Sequence, residues 1–257
     1  MEVVILAGGY GSRISEETHR VPKPMVKIGN MPIILHLIKY YSCFGFKDFI
    51  ICSGYKNEEI NKFFINLNLI YSDLEVDLKN GSIKNLKKNN FDFKIKIINT
   101  GLDSNTGRRL FKIKKYIKSD NFLFTYGDCL SNIDLTKLIN FHKTNKSIVT
   151  LTAKQMPTRY GILKKRSKNN KFNFYEKENL DNLINCGFFV LNKKIFNFLN
   201  NKNISFEKDI LTKISKKDML SAYEHNDFWQ SMDTLREKLI LEDLWNKKKA
   251  PWKIWKD

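Results

Sequence analysis

Short apolar runs alternate with amphipathic stretches along this chain, a pattern that predicts an α/β fold: a mostly parallel sheet with crossover helices. Val3 to Ala7 reads as a buried strand, and Gly8, Gly9 and Gly11 follow it as a loop. Pro32 to Phe44 carries Ile33, Ile34, Leu37 and Tyr41 near helical spacing. Asp48 to Ser53 is a second strand, and Asn57 to Phe64 a helix with Asn57 as its cap. Asn80-Gly81 marks a hairpin within Leu74 to Leu86. Further strands are predicted at Phe93 to Ile98, Asn121 to Tyr126 and Ser147 to Ala153, with helices over Thr106 to Ile117 and Leu135 to Lys143.

Past about residue 155 the texture changes to shorter strands, at Tyr160 to Leu163, Phe172 to Tyr175 and Ile184 to Leu191. Lys164 to Lys171 reads as a solvated hairpin tip between two of them. Helices follow near Lys194 to Leu199 and Phe206 to Ile214, then a strand at Leu220 to His225 and a helix over Asp233 to Trp245 capped by Asp233. The 257 residues fit one domain, with no repeat and no flexible linker.

Charge narrows the partners. The chain holds 45 Lys and Arg against 27 Asp and Glu, a net +18. Such an excess first suggests a polyanion. Only seven of the cations are Arg, however, and 28 Asn accompany the 38 Lys. That composition reads as genome-wide bias and solvated surface, and the aromatics lie in apolar runs, not interleaved with Lys as base stacking needs. No nucleic-acid partner is expected.

No apolar run approaches the roughly 18 residues that span a bilayer, so no membrane partner is expected either. The first residues carry an acid at Glu2 and read as a strand, not a signal peptide. Cys43, Cys52, Cys129 and Cys186 form no CxxC pair, which argues against zinc and a disulfide framework and for a reduced, cytoplasmic protein.

The chemistry concentrates in Leu6-Ala7-Gly8-Gly9-Tyr10-Gly11-Ser12-Arg13 and Pro22-Lys23-Pro24-Met25. A strand ending in a Gly-rich turn lets backbone N–H groups approach an anion. The spacing matches neither the Walker pattern nor the dinucleotide fingerprint. Three glycines alone are equally an ordinary strand-to-helix turn. Arg13 and Lys23 beside them supply the two forms of phosphate recognition, a rigid fork and a mobile point charge.

With these motifs the chain resembles the sugar-phosphate nucleotidyltransferases. Ser15-Glu16-Glu17-Thr18, Gly54-Tyr55-Lys56, Thr125-Tyr126-Gly127-Asp128, the block Phe228 to Arg236 and the block Ala250 to Trp255 are similar to the branch that makes CDP-glucose. The resemblance implies a Rossmann-like α/β/α domain over residues 1–257, with a nucleotide-binding half to about 153 and a small β-rich acceptor side in the half from about 154. It implies transfer from CTP to a sugar 1-phosphate, glucose 1-phosphate first among them, with Mg²⁺ as cofactor and a homo-oligomeric state. Leu6, Ala7 and the Gly8 to Ser12 amides would surround the triphosphate that Arg13 holds, with Gly127 beside them. Lys23 would bridge the two phosphates. Thr106, Gly107 and Arg109 would touch the nucleoside. Asp128 and Asp233 would hold the metal, with Arg13, Lys23 and Asp128 as the catalytic set. Tyr126, Gly161, Glu176, Lys177, Asn185 and Gly187 would receive the sugar phosphate.

Taken from the residues alone, Asp128 is equally a turn former and Asp233 a helix cap, because spacing cannot pair two aspartates this far apart. Glu178, Leu183 and Cys186 depart from the family pattern on the acceptor side, as do Arg108 and Cys129 elsewhere. The identity of the acceptor phosphate therefore stays open at this stage. So does loss of catalysis, against which the joint presence of Arg13, Lys23, Asp128 and Asp233 speaks.

Overall fold

The computed structural model describes residues 1–86, 91–155 and 183–256, and the backbone of 162–165 and 172–175. Its centre is a seven-stranded sheet. In chain order the strands are β1 (Val3–Ala7), β2 (Asp48–Ser53), β3 (Lys94–Asn99), β4 (Asn121–Tyr126), β5 (Val149–Gln155), β6 (Leu183–Asn192) and β7 (Leu220–Glu224). Their spatial order is β7-β5-β6-β4-β1-β2-β3. Only β6 runs against its neighbours, pairing antiparallel with both β4 and β5. The other four pairings are parallel.

Strand β1 explains why its sequence is an unbroken apolar run: every residue from Val3 to Ala7 is buried, because helices cover both faces of the sheet. Val3, Ile5 and Ala7 enter one core cluster, while Val4 and Leu6 enter the other. The first cluster takes Ile33, Ile34, Leu37 and Tyr41 from α1 (Ile33–Cys43), Leu138 from α4 (Leu135–Asn145) and Leu241 from α5 (Leu235–Asn246). The second takes Leu110 from α3 (Thr106–Lys112) and Phe206 and Ile210 from the helical turn Phe206–Leu211. The remaining longer helix, α2 (Asn57–Ile65), contributes Ile60 to the first. The Trp252 tail docks on this chain's own core, fully buried with its ring stacked on Phe228 at 5.4 Å.

Several boundaries differ from the sequence expectation for physical reasons. The predicted Thr106 to Ile117 helix stops at Lys112 and continues as a 3-10 turn over Lys114–Tyr116. Phe206 to Ile214 begins as a π-helical turn and becomes α-helical only at Thr212–Ser215. Asn57 is the first helical residue, not the cap, and its Oδ1 accepts from Ser53 Oγ at 2.5 Å. Asp233 does not cap α5 either. Thr234 does, in a capping box with Glu237, whose carboxylate also accepts the Asp233 backbone N–H at 2.8 Å. That leaves the Asp233 side chain free to face elsewhere. Asn80-Gly81 does turn a hairpin, between Leu74–Asp77 and Ser82–Asn85.

Candidate active site

In spatial order, β1 lies between β2 and β4. The chain builds outward from β1 to β2 and β3, then returns to lay β4 on the other side. The carboxyl ends of β1 and β4 therefore flank the point where strand order reverses, the place where open α/β sheets bind ligands. A cleft of about 430 Å³ lies there.

The loop after β1 is tightly held. Gly11 adopts φ 68°, a left-handed conformation in which a Cβ would also press on Thr18 Cγ2 at 2.7 Å. The buried Thr18 hydroxyl bonds to the Gly11 carbonyl at 3.0 Å. On the neighbouring strand, Gly127 N–H donates to the Leu6 carbonyl at 2.9 Å, an approach that a Cβ 2.6 Å from that oxygen would prevent. Pro22 and Pro24 set the backbone around Lys23, which begins a 3-10 turn and buries all but a tenth of its side chain.

Four charged groups converge at the mouth of this loop. Lys23 Nζ lies 2.5 Å from Asp128 Oδ2 and 2.6 Å from Asp233 Oδ1. Arg13 presents both Nη atoms to Asp233, at 3.0 and 2.9 Å, a bidentate pair. Burial works to lower the Lys23 pKa, but Asp128 and Asp233 outweigh it and hold the ammonium above the ordinary lysine range. Lys238 Nζ, on α5, meets Glu17 Oε1 at 2.6 Å. That pair ties the turn after the glycine loop to the helix whose start carries Asp233.

Of the residues singled out from the sequence, Leu6, Ala7, Gly9, Gly11, Ser12, Arg13, Lys23, Thr106, Tyr126, Gly127, Asp128, Asn185 and Asp233 line the cleft together. Gly161, Glu176 and Lys177, like most of the Lys164 to Lys171 tip, lie outside the described residues. Gly8, Gly107 and Gly187 support the cleft from behind. The Gly8 carbonyl accepts from Arg109, Gly107 N–H donates to the Ile204 carbonyl at 3.1 Å, and Gly187 packs under the Tyr126 ring.

Arg109 requires a correction. Expected to touch the nucleoside, it is instead 4% exposed, with its two Nη atoms donating to Ser53, Gly101, Gly8 and Leu102 carbonyls and to Thr100 Oγ1. A guanidinium with both Nη groups so occupied fastens the loops after β1, β2 and β3 to one another.

Sequence reasoning missed three contributors. Glu207 accepts from Tyr126 Oη and Thr106 Oγ1, both at 2.6 Å. Trp229 lines the cleft and donates its indole N–H to the Cys186 carbonyl at 2.7 Å. Ser231 also lines the cleft; Trp229, two residues before it, pairs across the short ladder with Ser131, whose Oγ lies 3.2 Å from His225 Nε2. Pro24, Cys129 and Cys186 complete the lining. Burial pushes the Cys129 thiol well up and the Cys186 thiol up to about 12, so neither supplies a thiolate nucleophile near neutrality. His36 and His142 are buried packing residues, and His19 lies outside the cleft lining, with Nδ1 3.1 Å from the Ser15 carbonyl and Nε2 accepting from Arg20 Nε at 3.2 Å.

Among the described residues no cluster of three or more His, Cys, Asp or Glu could hold a metal ion, and no helix is long and apolar enough to cross a membrane. The cleft offers a carboxylate pair and a phosphate-sized cationic loop.

Comparison with known proteins identifies the family. A family model described as nucleotidyl transferase matches residues 2–257. Glucose-1-phosphate cytidylyltransferase of Salmonella typhimurium is 44% identical over 257 residues, covering 99% of this chain and 100% of that protein. A probable glucose-1-phosphate cytidylyltransferase of Bacillus subtilis is 37% identical over 256 residues, with 99% and 100% covered. The crystal structure of HddC from Yersinia pseudotuberculosis superimposes with a TM-score of 0.69 at 25% identity, covering 95% of this chain and 99% of that one. The chain belongs to the nucleotidyl transferase family and is a nucleotidyltransferase.

Proposed function

We propose that this protein transfers CMP from CTP to α-D-glucose 1-phosphate, giving CDP-glucose and pyrophosphate, with Mg²⁺ as its metal. The observation that carries the reading is the convergence of Arg13, Lys23, Asp128 and Asp233 at the mouth of the glycine loop, in a chain 44% identical to a protein named for that activity.

A phosphate monoester is largely dianionic at neutral pH, with a second pKa of about 6, so its oxygen attacks without a protein base. A new bond forms between that oxygen and the α-phosphorus. The bond from the α-phosphorus to the bridging oxygen breaks, and its electron pair leaves with pyrophosphate. What remains for the protein is positioning and neutralising charge. Backbone N–H groups of the glycine loop and the exposed Arg13 fork receive the triphosphate. Lys23 is held where one ammonium can meet both the α-phosphate and the incoming sugar phosphate.

Asp128 and Asp233 direct oxygens at one cation already, the Lys23 ammonium. Such a hard-oxygen pair fits Mg²⁺, which commonly takes one or two carboxylates with phosphates and water. Bound there, the ion supplies neutralisation of phosphate charge. A cleft opening on one continuous sheet to which both halves contribute strands supports a single domain. The homo-oligomer belongs to the same reading. Val76 and Ile83 pair directly across the exposed hairpin and Leu74 lies two residues along, which puts three apolar side chains on one solvent-facing side.

The test is pyrophosphate release with CTP, UTP, dTTP, GTP and ATP, each against a panel of sugar 1-phosphates. Release from CTP that requires glucose 1-phosphate is expected. Release with UTP or dTTP but not CTP would refute the cytidylyl assignment, and turnover of another acceptor but not glucose 1-phosphate would remove glucose.

A further inference from the structure

Glu207 lies on the turn Phe206–Leu211, behind the wall of the cleft and outside its lining. Its two carboxylate oxygens collect three hydroxyl hydrogens. Oε1 accepts from Tyr126 Oη at 2.6 Å, and Oε2 accepts from Thr106 Oγ1 at 2.6 Å and Ser205 Oγ at 2.8 Å. The Tyr126 and Thr106 contacts have the length of charge-assisted O–H···O⁻ bonds. Burial first, and then the Glu207 charge, raises the Tyr126 phenol above the ordinary tyrosine range, so it stays a protonated donor.

A hydroxyl has one hydrogen, and a carboxylate only accepts. With their hydrogens committed to Glu207, Tyr126 Oη and Thr106 Oγ1 offer the cleft lone pairs alone. Thr106 Oγ1 already accepts the Phe206 N–H at 2.8 Å, and Tyr126 Oη lies 3.5 Å from Asn185 Nδ2. Asn185 is oriented in turn, because its Oδ1 accepts the Gly187 N–H at 2.9 Å. The wall therefore has a defined hydrogen polarity that no cleft-lining residue sets for itself.

We propose that Glu207 is a positioning residue that determines specificity, making the Tyr126 and Thr106 hydroxyls an acceptor-only surface that selects a ligand hydroxyl or amino group donating a hydrogen to it. A ligand oxygen that can only accept, such as a carbonyl or a phosphate oxygen, finds no donor in either hydroxyl and a carboxylate behind them. Polyol hydroxyls of the sugar or the ribose are the matching chemistry. This inference rests on the CTP and glucose 1-phosphate reading above.

The experiment compares hydroxyl, hydrogen and fluorine at one ligand position at a time, because fluorine accepts but cannot donate. Glucose 1-phosphates deoxygenated or fluorinated at C2, C3, C4 or C6 are assayed with CTP, and 2′- and 3′-modified CTP with glucose 1-phosphate. In the wild-type protein at least one fluorinated ligand should lose about tenfold or more in kcat/KM, together with its deoxy counterpart. In Glu207→Ala the freed hydroxyl hydrogens can turn toward the cleft. The same fluorinated ligand should then return to within about threefold of its parent while the deoxy form does not. Glu207→Gln, isosteric, keeps one acceptor oxygen and replaces the other with a donor. It should show the same recovery in part, and it carries the test if Glu207→Ala fails to fold.

Wild-type turnover of every fluorinated ligand within about threefold of its parent would overturn the inference while leaving the substrate reading intact. A common loss across all ligands in the Glu207 variants would reduce Glu207 to a structural role and overturn it too. Absence of turnover with unmodified glucose 1-phosphate would remove the substrate reading, and this inference with it.

Discussion

Replacing Arg109 separates a structural fastening from a ligand contact. The two Nη atoms make five contacts of 2.7 to 3.1 Å at a side chain almost wholly removed from solvent. In Arg109→Ala the Ser53 carbonyl keeps the Thr100 N–H at 2.9 Å and the Gly8 carbonyl keeps the Tyr55 N–H at 3.2 Å. The loss falls mainly on the Gly101 and Leu102 carbonyls. A hydrogen bond from a charged donor contributes about 1.5–3 kcal/mol, and two such losses come to about 3–6 kcal/mol. Relief of the desolvation that lowers the Arg109 pKa offsets part of this, leaving about 3 kcal/mol. Against a typical stability of about 5–15 kcal/mol that is a large effect. Urea unfolding should show a lower midpoint with an unchanged slope. Arg109→Lys should recover little, since one ammonium cannot reproduce the fork. A variant that unfolds within about 0.5 kcal/mol of wild type while its KM for CTP rises tenfold would refute the fastening role.

Acid should destabilise the fold through two buried imidazoles. Burial depresses His36 and His142 from 6.5 to about 4, so the folded chain resists protons that the unfolded chain binds. Stability is therefore full above about pH 6.5 and falls as pH drops toward 4, by about 1.4 kcal/mol per unit for each imidazole. Urea midpoints that are flat from pH 7 to 5 would contradict this. Trp252→Ala should cost about 3–5 kcal/mol, read by thermal unfolding, because it empties a fully buried site against Phe228 and His36. The double variant Val76→Lys, Ile83→Lys should lower the sedimentation mass without changing the circular dichroism, and an unchanged mass would clear the hairpin face of an assembly role.

What the sequence disclosed followed local pattern. The apolar run of β1, the Gly8 to Arg13 loop and the Asn80-Gly81 turn each carry their cause within a few residues, and each is found where the pattern puts it. Asp233 shows the limit of local reading. An acid before an apolar helix looks like a cap, but Thr234 one residue later forms the reciprocal box with Glu237 and turns Asp233 toward Lys23. Asp128 and Asp233 meet only because the sheet order brings the end of β4 and the start of α5 to one cation. Arg109 was read as a ligand contact because its burial depends on three strand-end loops that no spacing rule joins. Glu207 was invisible for a related reason: its hydroxyl partners come from α3 and β4, 101 and 81 residues away in sequence.

Lys23 is the residue on which the account turns, since among the described residues it alone touches both carboxylates, and the proposed function has it meet both phosphates. Pyrophosphate release from CTP, with and without glucose 1-phosphate, should be measured for wild type and Lys23→Ala in Mg²⁺. The account predicts acceptor-dependent release in the wild type and a loss of at least about a hundredfold in kcat/KM in the variant, because the ammonium neutralises charge that develops in the transition state. A loss under about threefold, or wild-type release from CTP that ignores the sugar phosphate, would contradict it.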